Sequence, residues 1–499
     1  MHQTFDVIMV GDSPTYPNWS RSYGTHRLAS HLRLHGFSVL VIDFCSAMDL
    51  QIWQSICDSA IGENTQLVGF STTWLPYRTT FSSTNKPEVT LDPHNWISGH
   101  NNNDIFDRNS FTFHAATGNA KSWIDIVKEK NKKIKIVLGG SRLDHYLDFP
   151  ADYFVSGLGE NQLIDLLTQP KRIWPTIIKH DVNSNIRDWG WTSSTTSYTE
   201  HDQITPDEIL SLEIARGCKF KCSFCSYPLI GQKDIAAYLK TEETLYHEVL
   251  DNYNAWGTTK YFVVDDTLND SIEKLEMLAR INQRLPFDLQ LHCYLRLDII
   301  ATQSKQLELI PASGIVSGLI GIESFHPVAS KVSGKGMDSS RRKHTLYAMR
   351  DAWGDRVSLT GSFIVGLPGE DSVSLKNELT WLLKKDCPIN NHASFTTLII
   401  NPPRPDSYII GSELDKNPQA FGYETPDPTN PTHWTKDDGT DINSFFDAQK
   451  LSDELNRQYS FIKSLRQKQY QGHVEYENVQ KDPIKEYFNP LVHMLNKNN

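Results

Sequence analysis

Apolar runs alternate with amphipathic stretches over the first third of the chain. A run over 5–10 ends at Gly11, and a helix is predicted over 24–35, with Gly36 as its stop. Similar apolar runs cover 38–42, 67–71, 134–138 and 153–155. Because several of these runs end in small residues and strand patterns alternate with helical ones, the pattern predicts a parallel, doubly wound α/β sheet.

Two stretches interrupt this alternation. Residues 75–117 are polar and rich in Asn, Ser and Thr, which predicts an inserted loop or lid. Residues 171–205 hold Pro175 and Trp191 amid Ser, Thr and Asn with little periodicity, which indicates a linker along the surface. We therefore expect the first domain to cover residues 1–170.

A second series of strands and helices follows over 206–405. Six strands are predicted near Leu212, Tyr261, Leu291, Leu319, Leu359 and Leu398. This repetition predicts a partial, TIM-like (βα)6 barrel. Between the second and third strands, Asp270 and Glu273 are spaced as a capping box at the start of an amphipathic helix.

The pattern weakens beyond residue 405. Loops rich in Pro and Asp reach Asp438, and a helix is predicted over 442–469. Residues 406–499 are therefore expected to form a mostly helical C-terminal extension, to which the sequence assigns no chemistry.

Composition narrows the class of protein. A chain of 499 residues is long enough for two or three domains, and its net charge of −11 gives no broad basic surface, so nucleic acid is not indicated as a partner. The amino terminus lacks the basic start and apolar segment of a secretory signal, and no apolar run is long enough to span a membrane. Seven cysteines, three of them in one motif, fit a reducing compartment, and we expect a cytoplasmic protein.

That motif carries the candidate chemistry. Cys218, Cys222 and Cys225 lie directly after the first predicted barrel strand. Three thiolates at this spacing can hold three irons of a four-iron cluster and leave the fourth iron open to a reactant. A structural zinc site or simple burial of small apolar residues are the alternatives, although the other four cysteines are not paired at ligand spacing.

The CxxxCxxC spacing, with Phe224 before its last cysteine, resembles the signature of the radical S-adenosylmethionine (radical SAM) enzymes. The resemblance implies a [4Fe-4S] cluster whose open iron binds S-adenosylmethionine, and reductive cleavage to a 5′-deoxyadenosyl radical. That radical removes hydrogen from a substrate that the sequence does not identify. An electron donor such as flavodoxin or ferredoxin is the implied partner, and no catalytic side chain beyond the cofactor sites is assigned.

Further cofactor contacts are expected where barrel strands end, because the loops there converge on one mouth. By resemblance, Phe224 lies near the adenine, and Asp265 and Asp266 accept from the amino group of the methionine moiety. A cluster of acidic residues at a helix N-terminus is the alternative for the two aspartates.

Three later strand ends complete this series. Arg296 can grip a carboxylate with two parallel hydrogen bonds, with a salt bridge to Asp298 as the alternative. Glu323, in Gly-Ile-Glu-Ser, resembles the family segment at the ribose, and Ile364 resembles the residue that lies against adenine. A structural glutamate and an ordinary turn are the alternatives for these two segments.

Residues 5–170, which end in Gly157-Leu-Gly-Glu160, resemble the Rossmann-like, cobalamin-binding-type domain that precedes the radical domain in one subgroup. Members that bind cobalt through histidine have Asp-x-His-x-x-Gly after the first strand, whereas Pro14 and Pro17 occupy the last two of those places here. Cobalamin, if bound, would lack that ligand.

The reaction after radical formation therefore has two interpretations. One is cobalamin-dependent methyl transfer. The other is a cobalamin-independent rearrangement, oxidation or cyclisation in which the first domain only shapes the site. A non-catalytic iron–sulfur protein is a third hypothesis. Because Cys45, Cys57, Cys293 and Cys387 are scattered, the sequence argues against subgroups with a second cluster, including those that insert sulfur or thiomethyl groups.

Overall fold

Two parallel six-stranded sheets form the framework of the protein. The computed structural model describes residues 4–12, 21–45, 48–73, 120–140, 143, 147, 149–179, 190–225, 238–400, 411–424, 433–470 and 484–497. The predicted insertion over 75–117 lies outside these residues, as do Pro14 and Pro17.

The first sheet is parallel throughout, with strand order β2-β1-β3-β4-β5-β6. Its strands are β1 (Val7–Val10), β2 (Val39–Ile42), β3 (Leu67–Ser71), β4 (Lys135–Gly139), β5 (Tyr153–Ser156) and β6 (Ile177–Lys179). Its helices are α1 (Tyr23–Leu34), α2 (Leu50–Ala60), α3 (Ala120–Lys130) and α4 (Glu160–Thr168).

Both faces of this sheet are buried. Ile8 and Val10 of β1 point into one apolar core, while Val7 and Met9 point into a second core on the opposite face. Successive residues of a strand face opposite sides, so a run that is apolar throughout is the pattern that two covered faces require. The prediction of a doubly wound sheet is confirmed.

The edge strand β6 lies within the stretch predicted to be a linker. Ile178 and Lys179 of β6 pair in parallel with Val155 and Ser156 of β5, which extends the first sheet. Three residues are too few to give a readable alternation, so this strand depends on the neighbouring edge for its hydrogen bonds.

The second sheet has the order β12-β11-β10-β9-β8-β7, with every neighbouring pair parallel. Its strands are β7 (Leu210–Leu212), β8 (Lys260–Val263), β9 (Gln290–Leu295), β10 (Ile315–Glu323), β11 (Ser358–Val365) and β12 (His392–Thr397). Its helices are α5 (Glu242–Trp256), α6 (Ile272–Arg284), α7 (Leu297–Thr302), α8 (Gln306–Ala312), α9 (Pro327–Val332), α10 (Ser339–Trp353) and α11 (Ser372–Leu382). Because β7 and β12 are not paired, this is the partial barrel that the sequence predicted.

The cap of α6 differs from the prediction. The side chain of Ser271, rather than Asp270, accepts from the backbone N–H of Lys274. Asp270 instead lies 2.9 Å from the Lys274 ammonium as a buried ion pair. The helix therefore starts one residue later than the proposed capping box required.

The C-terminal extension covers the free edge of the barrel. It contains α12 (Glu413–Lys416), the short hairpin β13 (Tyr423–Glu424) and β14 (Thr435–Lys436), and the long helix α13 (Phe445–Tyr470). On α13, the amide of Asn456 accepts from the backbone N–H of Phe395 at 2.9 Å and donates to its carbonyl at 2.8 Å, as a neighbouring strand would. No helix of the described residues, α13 included, is both long and apolar enough to cross a membrane.

The last residues return to the first domain. A π-helical turn over Ile484–Phe488 leads into α14 (Asn489–Lys497). Tyr487, Phe488, Leu491 and Leu495 are buried within one core of the first sheet. The Tyr487 hydroxyl also accepts from the backbone N–H of Asp43 at 3.1 Å. This C-terminal segment therefore forms part of the first domain.

A buried ion cluster joins the two halves. The Arg21 guanidinium donates two hydrogen bonds of 2.8 Å to Glu208, just before β7, and lies 3.4 Å from Asp43, just after β2. Its charge is also flanked by the rings of Phe44 and Tyr487, each 5.3 Å away. Arg21 is only 2% exposed, and Glu208 depends on it for compensation, whereas Asp43 also lies 2.7 Å from the imidazole of His26.

We predict that Arg21→Met destabilises the folded protein by about 3–5 kcal/mol, because it leaves Glu208 buried without its cation and removes one of the two partners of Asp43. The matched control is Arg280→Met, which removes an exposed pair with Glu242 and should cost about 0.2–1 kcal/mol. Urea unfolding followed by tryptophan fluorescence measures both. Equal losses for the two variants would contradict the role assigned to the cluster.

Candidate active site at the cysteine loop

The cysteine motif forms a short loop immediately after β7. Gly217 takes a positive φ of 94° before Cys218, a conformation that glycine adopts without strain. A backbone hydrogen bond of 3.1 Å from the N–H of Cys225 to the carbonyl of Cys222 tightens the loop's second half. Cys218 is buried, whereas Cys222 and Cys225 are half-buried and carry free thiols.

The donor set fits the cluster that the sequence implies. In a four-iron cluster each thiolate binds a different iron, so the three thiols need not converge on one point. In the described ranges, no group of three or more His, Cys, Asp or Glu side chains is arranged to hold a metal ion. The Thr267 hydroxyl lies 3.5 Å from the sulfur of Cys218, and burial raises the pKa of that thiol. Iron binding there would displace a proton.

Asp265 is committed to internal contacts. Its carboxylate accepts from the backbone N–H groups of Ile214 and Ala215, at 2.8 and 2.9 Å, and lies 3.3 Å from the buried Lys274 ammonium. Burial raises its pKa to about 6, while the ammonium and the N–H donors favour the ionised form. Asp265 therefore fixes the backbone that enters the cysteine loop, and its predicted contact with the methionine amino group stays a prediction.

Asp266 differs from its neighbour. Burial, and then the charge of Asp265, raises the pKa of Asp266 to about 7. Within the described part of the chain, its carboxylate has no hydrogen bond or ion pair of its own. It is thus the carboxylate at this strand end that remains available for a cationic ligand.

Arg296 makes the salt bridge that was the alternative to its predicted role. Its Nε and Nη2 donate to the two oxygens of Asp298, at 2.8 and 2.9 Å. Its Nη1 lies 3.1 Å from the sulfur of Cys222, and its guanidinium is stacked 3.7 Å from the ring centroid of Phe220. The Nε–Nη2 edge of the guanidinium is thus occupied by Asp298, and the predicted contact of Arg296 with a ligand carboxylate stays a prediction.

Glu323 ends β10 in a strained conformation. Its φ is 63°, and the β10–β11 register shifts between Gly321 and Glu323. The carboxylate folds back over Gly321, where a Cβ atom would lie 2.3 Å from Oε1, and Lys335 lies 3.2 Å from the same oxygen. A side chain at position 321 would therefore displace the Glu323 carboxylate from this position.

The inward face of the barrel is partly open. On β9, half-buried His292 and Tyr294 alternate with the fully packed residues Leu291, Cys293 and Leu295. On β11, Ile364 is likewise half-buried between the buried residues Phe363 and Val365. Phe224 is partly buried and packs against the barrel core. Burial lowers the pKa of His292, which favours the neutral imidazole.

One guanidinium links the first domain to the cysteine loop, and the sequence did not identify it. Arg216, two residues before Cys218, pairs with Glu160 at 2.6 Å and with Glu213 at 2.8 Å. It also lies 4.2 Å from the ring centroid of the buried Trp191. Glu160 begins α4 just after β5, so the carboxyl end of the first sheet faces the carboxyl end of β7.

A second missed feature is a buried pair of carboxyls behind Glu323. The Ser324 hydroxyl lies 2.5 Å from Glu370 and 3.2 Å from Glu378. Burial raises the pKa of both, and the charge of Glu378 raises that of Glu370 further. Nothing in the sequence separates Glu378, on α11, from an exposed helical glutamate; only the packing does.

Residues 212–382 match the model of the radical SAM superfamily. This range contains the three cysteines and the four strands β8 to β11 in full, together with Leu212, the last residue of β7. The resemblance stated from the motif is confirmed, and the family uses a [4Fe-4S] cluster with S-adenosylmethionine.

Similar proteins fall into two groups. Ribosomal protein uS12 methylthiotransferase RimO of Jannaschia sp. (strain CCS1) is 28% identical over 194 residues, which cover 36% of this chain and only 41% of RimO. Among solved structures, the radical S-adenosylmethionine methyltransferase TsrM of Kitasatospora setae, with cobalamin and a [4Fe-4S] cluster bound, has a TM-score of 0.59 at 15% identity, covering 99% of this chain and 100% of TsrM.

OxsB, a cobalamin-dependent S-adenosylmethionine radical enzyme, has a TM-score of 0.58 at 12% identity, covering 98% of this chain and 72% of OxsB. At such identities the two structural matches establish the fold. They extend over both sheets.

We predict that the buried carboxyl pair makes folding stability fall as pH rises. The pKa of Glu378 is raised from 4.5 to about 7, so the folded state binds more protons than the unfolded state in this interval. Its contribution is full below about pH 4.5 and is lost as pH rises through about 7. Glu378→Gln should therefore become progressively more stable than the native protein across this window.

Thermal unfolding at a series of pH values measures the difference between the two proteins, which cancels the titration of other groups. Glu308→Gln, at an exposed helical position, is the control and should track the native protein. A Glu378→Gln difference that does not vary with pH would contradict the prediction.

Proposed function

We propose that this protein, whose residues 212–382 match the radical SAM superfamily, reductively cleaves S-adenosylmethionine. The resulting radical then removes hydrogen from a bound substrate. We further propose that cobalamin-dependent methyl transfer follows. The observation that carries the proposal is that the carboxyl ends of both sheets meet at the cysteine loop through Glu160, Arg216 and Glu213.

Cys218, Cys222 and Cys225 are proposed to hold three irons of the cluster. When bound, the cluster supplies the electron that converts S-adenosylmethionine to methionine and a 5′-deoxyadenosyl radical. An external low-potential donor, such as a flavodoxin or ferredoxin, supplies that electron in turn. Asp265 acts indirectly, because its bonds to Ile214 and Ala215 hold the backbone that leads to the cysteines.

The polar parts of S-adenosylmethionine have two candidate partners. Asp266 would accept from the cationic amino group, since its carboxylate lacks an internal cation of its own. Glu323 would accept from the ribose hydroxyls, with Lys335 compensating its charge at 3.2 Å. Asp266 follows β8 and Glu323 ends β10, with only β9 between these two strands of the sheet. We propose that one ligand reaches both side chains from the mouth of the barrel.

Apolar residues would hold the remaining parts. Ile364 is proposed to lie against the adenine, with the backbone at Phe224 on its other side. The half-buried inward residues Phe262, His292 and Tyr294 would form the wall of the substrate cavity, where the aromatic rings exclude water from the radical. The neutral form of His292 could accept a proton there.

Cobalamin is proposed to occupy the crevice between β1 and β3, where strand order reverses in the first sheet. Gly140, at the end of the adjacent β4, has a φ of 123°, and a Cβ atom there would lie 2.8 Å from Thr72 at the end of β3. The lack of a side chain at Gly140 therefore lets the ends of β3 and β4 approach each other closely next to this crevice. TsrM and OxsB, which share the fold, are both cobalamin proteins.

A cobalamin-independent radical reaction is the second candidate, favoured by Pro14 where some relatives have a cobalt-binding histidine. A methylthiotransferase activity like that of RimO has less support. The remaining cysteines are dispersed: Cys45 and Cys57 lie in a first-domain core, while Cys293 lies in the barrel core and Cys387 at its edge. They cannot together hold a second cluster.

We predict that the anaerobically reconstituted protein forms 5′-deoxyadenosine from S-adenosylmethionine and dithionite. Cys222→Ala should lose this activity and part of its bound iron, because one cluster ligand is missing. Cys387→Ala, which removes a half-buried thiol outside the motif, is the matched control and should keep both. Absence of product from a native protein with full iron content would overturn the catalytic proposal.

The cobalamin branch has its own test. Equilibrium dialysis of the reconstituted protein against hydroxocobalamin should leave about one corrinoid per chain, detected by its visible absorbance. If the native protein retains none at saturating concentration while still forming 5′-deoxyadenosine, the cobalamin-independent candidate replaces methyl transfer.

We predict that Asp266→Asn weakens S-adenosylmethionine binding about tenfold to a hundredfold, because a charged hydrogen bond contributes roughly 1.5–3 kcal/mol. Dialysis with radiolabelled S-adenosylmethionine measures the change at constant cluster content. Asp288→Asn, at an exposed position before β9, is the control and should bind as the native protein does. Unchanged affinity in Asp266→Asn would rule out this contact.

A further inference from the structure

Arg296 is the one guanidinium of the described residues that hydrogen-bonds to a motif cysteine. Its Nη1 lies 3.1 Å from the sulfur of Cys222, and its Nη2 lies 3.5 Å from the carbonyl of Gly334. The residue is 6% exposed. Its Nε and Nη2 both donate to Asp298, so the edge of the guanidinium that could grip a carboxylate is occupied.

Three further contacts hold Arg296 in this position. Its backbone N–H donates to the side chain of Asn269 at 2.8 Å, and the same amide donates to its carbonyl at 3.0 Å. The ring of Phe220, on the cysteine loop itself, stacks on the guanidinium at 3.7 Å. Asn269 is fully buried and holds the Arg296 backbone, while Phe220 holds the plane of the guanidinium. The hydrogen-bond donor to Cys222 is therefore in place before any cluster is present.

We propose that the Arg296–Asp298 pair sets the reduction potential of the cluster through the hydrogen bond to the Cys222 thiolate. This inference rests on the proposed function, because it requires a cluster at the three cysteines. Arg296 is a positioning residue for that thiolate rather than a group that touches the substrate.

The direction of the effect follows from charge. Reduction adds one electron to the cluster, taken from a one-electron donor, and no bond to Arg296 forms or breaks. A cation and an N–H donor at a ligating sulfur stabilise the more negative, reduced form and so raise the potential. Asp298 opposes this effect, since its carboxylate neutralises much of the guanidinium charge; its side chain is 29% exposed, against 7% for Arg296.

The two members of the pair should therefore have opposite effects when altered. Arg296→Gln removes the cation and should move the midpoint potential to more negative values. Asp298→Asn leaves the guanidinium uncompensated and should move it to more positive values. Both variants lose the same salt bridge, so a purely structural role would shift both in the same direction.

Redox titration of each reconstituted protein, followed by the electron paramagnetic resonance signal of the reduced cluster, measures these shifts. Iron and sulfide content are determined on the same samples. Lys221→Gln is the control, because it removes an exposed cation next to Cys222 that makes no contact with a motif sulfur among the described residues; its shift should be smaller than that of Arg296→Gln.

If Arg296→Gln fails to hold a cluster, Arg296→Lys and Asp298→Asn still decide the question. Arg296→Lys keeps the charge but not the planar fork, and its shift should fall between the native protein and Arg296→Gln. Shifts of the same sign in Arg296→Gln and Asp298→Asn, or an unchanged potential in Asp298→Asn, overturn the inference while leaving the proposed function intact. A native protein that forms no cluster overturns both.

Discussion

The ion pair between Glu160 and Arg216 is the contact on which the arrangement of the two halves depends. Arg216 is buried with a carboxylate from each domain and with the face of Trp191, so the docked first domain supplies Glu160 as the second of its two partners. It also directly precedes Gly217 and Cys218. The same interaction that docks the first sheet thus fixes the start of the cysteine loop.

Carboxylates dominate the mouth of the barrel, and most of them are already partnered. Glu213 pairs with Arg216, Asp265 with Lys274, and Glu323 with Lys335. Asp266 stands apart, because no such partner is found for it among the described residues. The other carboxylates named here are balanced internally, so the mouth differs from a uniformly acidic surface.

Much of the fold was readable from the sequence, whereas the roles of individual charged residues were not. Runs such as Val7–Val10 predict strands that are covered on both faces, because burial on both faces leaves no polar position. The spacing of the three cysteines predicts an iron–sulfur cluster. Asp265 and Asp266 are indistinguishable in sequence; only the position of Lys274 tells them apart. Similarly, whether the guanidinium of Arg296 is available to a ligand depends on the orientation of Asp298, which the sequence does not reveal.

The return of the C-terminal segment to the first domain has a consequence for how the protein is made. Tyr487, Phe488 and Leu491 complete a core whose other residues are mostly synthesised more than 300 positions earlier. During translation, the first sheet therefore emerges with one face unfinished and stays so until the barrel has been made. The first domain therefore reaches its final form only after the barrel has been synthesised.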